Sequence, residues 1–289
     1  MGDVSVVDTG SLAEEELRQA DRIARQRWMR RHRRDLALQV VLGGGLPVLL
    51  LGLWQLGADV GIIDQRFFPS PVRIVARSYD DVVNHGLLPE LAHDVQITLI
   101  RLLIGFAIGG AIGILCGLAM GNVRMVRDAL SPLIYATYPM PKIAILPLLL
   151  IIFGIGNVSK VAVVAVGVFF VTCLSTVTGV LYCNPIFRDV GRSFGFPVLV
   201  QYTHIVIPAA LPAIMNGLKL GIGQALILVV SAEFVSANDG LGYFIWSSWQ
   251  IFDISRMFLG LACLAIGGAI AVIGGDLLER WLVPWGNRQ

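Results

Sequence analysis

Six apolar runs dominate this chain of 289 residues, at about Leu36–Leu56, Ile97–Gly121, Ser131–Phe153, Lys160–Tyr182, Ala209–Phe234 and Met257–Trp281. Each is long enough to cross a hydrocarbon layer of ~30 Å, which takes roughly 20 apolar residues as a helix. Water is absent from that layer, so a spanning segment satisfies its own backbone N–H and C=O groups, and a continuous apolar run does so by forming a helix. Charged residues make up only 15% of the chain, against about a quarter in a soluble domain. The sequence therefore predicts an all-α polytopic membrane protein with about six transmembrane helices.

The charges predict its orientation. Residues 1–35 are polar and helix-prone, and eight arginines fall between Arg18 and Arg34. Basic residues just ahead of a first span hold that end in the cytoplasm. The run R-R-H-R-R raises the question of a twin-arginine export signal, but no small-residue cleavage site follows and further spans do, which favours a retained signal-anchor. Counting from a cytoplasmic N-terminus, segments 122–130 and 183–208 and a short tail at 286–289 fall inside, flanking a transmembrane domain at 36–285. Segment 58–96 falls outside. It carries six acidic residues (Asp59, Asp64, Asp80, Asp81, Glu90, Asp94) against three arginines, whereas the inside segments hold Arg124, Arg127, Arg188, Arg192 and Arg288.

The longest inside segment, 183–208, is a polar interruption reading D-V-G-R-S-F-G from Asp189 and closing on I-V-I-P. Pro185 to Phe194 predicts a short helix bearing Asp189. Gly195 can take the positive φ that ends such a helix, and Pro208 is expected near the start of the next one, where its missing N–H costs nothing. The third span is irregular in another way, with prolines at 132, 139, 141 and 147. Pro139 and Pro141 each remove a backbone donor and clash with the preceding turn, so the helix is expected to break there. Such a break survives at membrane depth only beside protein or a water-lined cavity, and broken helices near the midplane point to substrate sites. Tyr138, Pro139, Pro141 and Lys142 are thus candidates for a translocation pathway, with snorkelling of Lys142 to an interface as the plainer alternative.

Two further ionisable residues are pathway candidates. Arg101 lies near the outer end of the second span, where snorkelling explains it equally well, and Glu233 lies at the outer end of the fifth, where a solvated helix terminus is the competing reading. Lys219 and Asp276 sit within spans with no partner evident in the sequence. Gly105, Gly109, Gly113, Gly117 and Gly121 recur every fourth residue and form a ridge along one helix face that admits another backbone closely; Gly217, Gly221 and Ala225 form a shorter one. The ridge suits either a helix that slides or static close packing. The four cysteines lie in or beside apolar runs without metal-ligand spacing and are expected to pack as small apolar residues. The histidines make no cluster, nothing suggests a metal site or nucleic-acid binding, and no G-x-x-x-x-G-K-[ST] loop is present to hold ATP.

Together these stretches resemble the permease subunits of the nitrate/sulfonate/taurine-type ABC importers. The resemblance rests on Asp189, Gly195, Ile205 and Pro208, which keep the spacing of the loop that grips the ATPase in that family. It extends through F-P-S-P (Phe68–Pro71), T-L-I-R-L-L-I-G-F (Thr98–Phe106), P-K-I-A-I-L-P-L (Pro141–Leu148), F-G-I-G (Phe153–Gly156) and I-P-A-A-L-P-A-I (Ile207–Ile214). A-E-F (Ala232–Phe234), G-L-G-Y (Gly240–Tyr243) and L-L-E-R-W-L-V-P-W (Leu277–Trp285) complete it. It implies a type I ABC importer permease fold and a non-catalytic pore subunit in the bacterial cytoplasmic (inner) membrane, both termini cytoplasmic. It also implies a homodimer of permeases, two cytoplasmic ATPase subunits carrying ATP and Mg, and an extracytoplasmic solute-binding protein that delivers a small anionic or polar solute. By the same resemblance Arg188, Asp189, Val190, Gly191, Arg192, Ser193, Phe194, Gly195, Ile205 and Pro208 form the ATPase-coupling segment, with no cofactor bound by this chain. One stretch departs from the pattern: Asp189-Val190-Gly191 stands where the family usually carries Glu-Ala-Ala, which keeps the carboxylate but, through Gly191, weakens the helix by up to ~1 kcal/mol.

An ion-coupled secondary transporter is the alternative. It would favour inverted repeats and paired intramembrane carboxylates; no repeat is evident and Glu233 is the one candidate acid. A membrane enzyme would need a His/Asp/Glu cluster at one membrane face, which the sequence does not supply.

Overall fold

The computed structural model describes residues 43–183 and 185–284. The basic segment 1–35, the first residues of the first expected span and the tail 286–289 lie outside the described residues, as do the side chains of Arg188 and Arg192. The chain divides into two units, Met1–Val72 and Arg73–Gln289. In the first, residues 43–59 form helix α1. Leu46, Val48, Leu49, Leu50, Leu51, Leu53 and Leu56 on it are all more than half exposed, so the helix is apolar around its circumference, as a span is expected to be. Below it the chain turns tightly: the Asp64 carboxylate accepts from the Arg66 amide at 2.9 Å, and this bond together with the Arg66 side chain holds Asp64 below the usual carboxylate range.

The second unit is helical throughout its regular structure among the described residues. It runs α2 (Pro71–Val83), α3 (Leu87–Asn122), α4 (Arg124–Thr137), a 3-10 turn (Lys142–Ile145), α5 (Leu146–Phe153), α6 (Asn157–Leu181) and α7 (Pro185–Ser193). The one-turn α8 (Val198–Gln201) and a π turn (Tyr202–Val206) lead into α9 (Ile207–Ser236), followed by α10 (Leu241–Gln250) and α11 (Ile254–Leu282). Four stretches are long and apolar enough to span a membrane, and α4 with the segment up to Phe153 makes a fifth as a bent pair.

The core is α6 held between α3 and α9. Valines fill α6, and such a β-branched run would suit a strand in water; in hydrocarbon the helix is the form that satisfies the backbone within one segment. The glycine ridge of α3 meets α6 along its full length. A Cβ on Gly105 would fall 2.7 Å from the Val164 Cβ, one on Gly113 2.9 Å from the Phe169 carbonyl, and one on Gly117 2.7 Å from the Cys173 carbonyl; at Gly109 it would overlap the Ala165 carbonyl. Gly121 closes the series against Val180. On the far side of α6, Gly217 admits Ser175 and Thr172, and Gly221 faces Val168. The ridge is therefore a closely packed backbone-to-backbone seam in this conformation.

Ser131–Phe153 is broken where expected: the axis turns by 96° between α4 and the segment that follows, because Pro139 and Pro141 have no N–H to give the carbonyls four residues earlier, those of Tyr135 and Thr137. One expectation is corrected. Segment 58–96, expected as a loop, is largely helical, since α2 fills its middle and α3 starts at Leu87, well before the apolar run. Pro208 stands in the first turn of α9, as its position predicts. Its missing N–H falls just after a π turn in a continuous helical run, where the Ile207 amide bonds back to the Tyr202 carbonyl, a widening that inserts one extra residue into the helix. Sequence reading also missed α10 altogether.

Candidate functional site

The segment after α6 folds as its residue order predicts. α7 ends at Ser193, Gly195 has φ 68°, and the Phe196 amide reaches back to the Gly191 carbonyl at 3.1 Å while Phe194 bonds Val190 at 3.0 Å. A left-handed glycine with that six-to-one bond is the Schellman close of a helix. Gly191 is buried, and a Cβ there would lie 2.8 Å from the Ile205 Cδ1. A residue with a Cβ at 191 would displace the end of the Ile205 side chain, so Gly191 lets α7 lie close against the π turn. Along α7 and the residue that follows it runs an exposed apolar ridge: Ile186 is 63%, Val190 46% and Phe194 73% exposed, at four-residue spacing, with the Phe194 and Phe196 rings stacked at 6.0 Å. Asp189 is exposed on the same helix, and the Ser193 hydroxyl donates to its carbonyl at 2.9 Å.

At the break of the third expected span the structure accounts for Lys142. It is 8% exposed, and its Nζ donates to the carbonyls of Thr137 (2.8 Å), Tyr138 (2.7 Å) and Met140 (3.0 Å). An ammonium has three donors, so all are engaged, one of them on the Thr137 carbonyl, which Pro141 has no N–H to reach and which also accepts from the Met140 amide at 3.2 Å. The same ammonium lies 4.2 Å from the centre of the Phe170 ring and 5.7 Å from that of Tyr138. Lys142 is neither snorkelling nor offering a free donor; it caps the broken helix. Beside it opens a cavity of about 340 Å³ lined by Tyr138, Met140, Pro141, Lys142, Gly167, Phe170, Val171 and Gln224. Three of the four break residues border the cavity, while Pro139 is exposed and outside the lining.

Arg101 and Glu233 are separate from this cavity and are joined to each other. Arg101 is 2% exposed and Glu233 is fully buried, which removes both snorkelling and the solvated-terminus reading. The five N–H donors of Arg101 are all used. Nε and Nη2 donate to the Asn157 Oδ1 at 2.9 and 2.6 Å, and Nη1 donates to Glu233 Oε1 at 2.7 Å and to the Asp239 carbonyl at 3.0 Å. The fifth bond runs from Nη2 to the Asp239 carboxylate. Glu233 also accepts from the Thr98 hydroxyl (3.0 Å) and the Gly242 amide (2.9 Å), Thr98 accepts from the Leu241 amide (2.8 Å), and Asp94 from the Gly240 amide (2.7 Å). The first amides of α10, which have no partner inside their own helix, are thereby met by three side chains from α3 and α9, two of them acidic and suited to the positive end of a helix.

This hub pins the first half of α3, the start of α6 and the end of α9 to α10 through residues up to 146 positions apart, a separation that local sequence pattern cannot reveal. Opposite charges inside two spans were the available signal. A second pairing was missed for the same reason: Lys219 on α9 bonds Asp276 at 3.1 Å and Glu279 at 2.6 Å on α11, so neither Lys219 nor Asp276 lacks a partner.

Residues 109–285 match the sequence model of the binding-protein-dependent transport system inner membrane component. The chain is 30% identical over 84% of its length to the aliphatic sulfonates transport permease protein named SsuC in Bacillus subtilis (strain 168), of which 86% is covered. It is also 30% identical over 86% of its length to the taurine transport system permease protein TauC of Escherichia coli (strain K12), covering 91% of it. Among solved structures, a chain from the inward facing conformations of the MetNI methionine ABC transporter superposes with a TM-score of 0.60 at 19% identity, over 69% of this chain and 99% of that one. At that identity the likeness concerns the fold.

Proposed function

For a chain that belongs to the family of binding-protein-dependent transport system inner membrane components, we propose a role for each of the parts just described. The chain is the permease subunit of an ABC importer, a multi-pass inner-membrane protein that passes a small solute inward; it is not an enzyme, and ATP hydrolysis belongs to partner ATPase subunits.

α7 is the part that seats in a cytoplasmic ATPase. The observation that carries this reading is its ridge of Ile186, Val190 and Phe194, exposed on a short helix between two spans and accompanied by Asp189. Arg188 and Arg192 belong to the same segment. An exposed aromatic set among polar residues is the composition of an interaction hot spot. Two such ATPases, carrying ATP and Mg, each grip one permease of a homodimer. Their closure pushes on α7 and passes through the Gly191–Ile205 contact into α9. The basic N-terminal segment and the tail lie on the cytoplasmic side with α7, and an extracytoplasmic binding protein delivers the solute at the opposite face. The solute then passes the cavity beside Lys142. The names of the relatives, for aliphatic sulfonates and taurine, favour a small polar organic solute.

The test is assembly. In membranes carrying the permease with its ATPase, Asp189→Lys and Phe194→Ser should each reduce co-purified ATPase at least tenfold while permease insertion stays normal. Full assembly and coupled hydrolysis in both variants would sink the docking assignment.

A further inference from the structure

We propose that Gln224, rather than Lys142, is the side chain that contacts and selects the solute in the cavity, and that Lys142 acts on it only through its charge; this rests on the reading of that cavity as part of the transport path. Gln224 lies near the middle of α9 (Ile207–Ser236) and lines the same cavity as the residues of the broken span. Its amide, with two donors and an acceptor, is half-buried at the cavity wall and has no hydrogen-bond partner among the described residues. An amide left unpaired at that depth is costly unless water or a ligand meets it. Gly167 makes room for it: a Cβ there would sit 3.3 Å from the Gln224 Cγ and would collide with Leu228.

Lys142 contributes differently. All three of its donors are held by carbonyls of its own segment, and no carboxylate among the described residues lies within ion-pair distance of it. The ammonium therefore leaves a standing positive potential on the cavity wall with no donor left to give. A solute bearing an oxyanion supplies the missing counter-charge, and the Gln224 N–H groups supply the direct bonds. Phe170, Val171 and Met140 offer apolar surface to the remainder of the solute. Selectivity on this account is divided between a field and an amide, and changing the amide alters which head group fits while the field remains.

The assay needs no knowledge of the solute. In the assembled complex in membranes, with the native cysteines replaced, Gln224→Cys is modified by two methanethiosulfonate reagents, one carrying a sulfonate and one a trimethylammonium group. Rates are normalised to a cysteine at exposed Met125. The sulfonate reagent should react roughly tenfold faster at position 224, as expected for a unit charge at close range in a partly desolvated site. That preference should persist in Lys142→Arg and vanish in Lys142→Met. A position 224 closed to both reagents, equal rates, or a preference for the cation would overturn the proposal. A preference unchanged in Lys142→Met would overturn the part assigned to Lys142. The reading is taken without turnover, so it fails or holds separately from ATPase docking through α7.

Discussion

Replacing Arg101 with methionine tests the hub most directly. The substitution keeps the length and apolar stem of the side chain but deletes five hydrogen bonds at a site 2% exposed. Glu233 would retain Thr98 and the Gly242 amide but would carry a buried charge stripped of its ion-pair partner. Breaking a buried pair from one side typically costs ~3–5 kcal/mol. At ~2–4 °C per kcal/mol for a domain of this size, the apparent Tm of the protein in lipid nanodiscs, followed by tryptophan fluorescence, should fall by roughly 6–20 °C. Arg101→Lys keeps the charge but not the planar fork that reaches Asn157, Glu233 and Asp239 together, so its loss should be intermediate. The double variant Arg101→Met with Glu233→Gln neutralises the stranded carboxylate and should recover about 1–3 kcal/mol of the single-variant loss. A Tm for Arg101→Met within about 2 °C of the parent, which corresponds to less than ~1 kcal/mol, would refute the hub as a stabilising element.

Gly109→Val should overpack the α3–α6 seam against the Ala165 carbonyl and cost about 1–3 kcal/mol or more, read as a lower Tm; an unchanged Tm would mean the helices can separate freely. Phe252, a 70% exposed non-glycine residue with φ 58° that closes α10 where glycine usually stands, should be relieved by Phe252→Gly, which raises stability by about 1 kcal/mol in the same assay; a lower Tm would refute the strain. Cysteines at Asn84 and Arg124 should be modified by an impermeant reagent from outside and only after membrane opening, respectively; the reverse pattern would overturn the charge-based topology.

What could be read in the sequence was what repeats or interrupts locally. The glycine period located the seam of α3, Gly195 located the end of α7, and Pro139 with Pro141 located the break, because each feature acts within one turn of its own backbone. The use of Lys142 was not legible, since a lysine in a span reads as a pathway or interface residue until its carbonyl partners are placed. The ion pairs and bonds of Arg101 and Lys219 join positions 56 to 138 residues apart, and no local period encodes such a match. α10 escaped because Leu241–Gln250 mixes aromatic and hydroxyl residues without a long apolar run, and its first turn is completed by side chains from α3 and α9. Gly191 read as a weakness of the docking helix; packed under Ile205, it is where that helix meets the rest of the chain.

The two ways in which these buried cations are satisfied set different conditions on biogenesis. Lys142 finds its three carbonyls within the five residues that precede it, so the right-angled segment can leave the insertion machinery already bent and capped, whatever follows. Arg101 is translated 132 residues before Glu233 and enters the membrane as a bare guanidinium. Until the fifth span arrives, that charge must stay near the headgroups or in contact with the insertion machinery. A chain truncated before residue 233 should therefore hold its bend but not the position of its second span, and quality control that senses an unpaired arginine would distinguish a finished permease from an interrupted one.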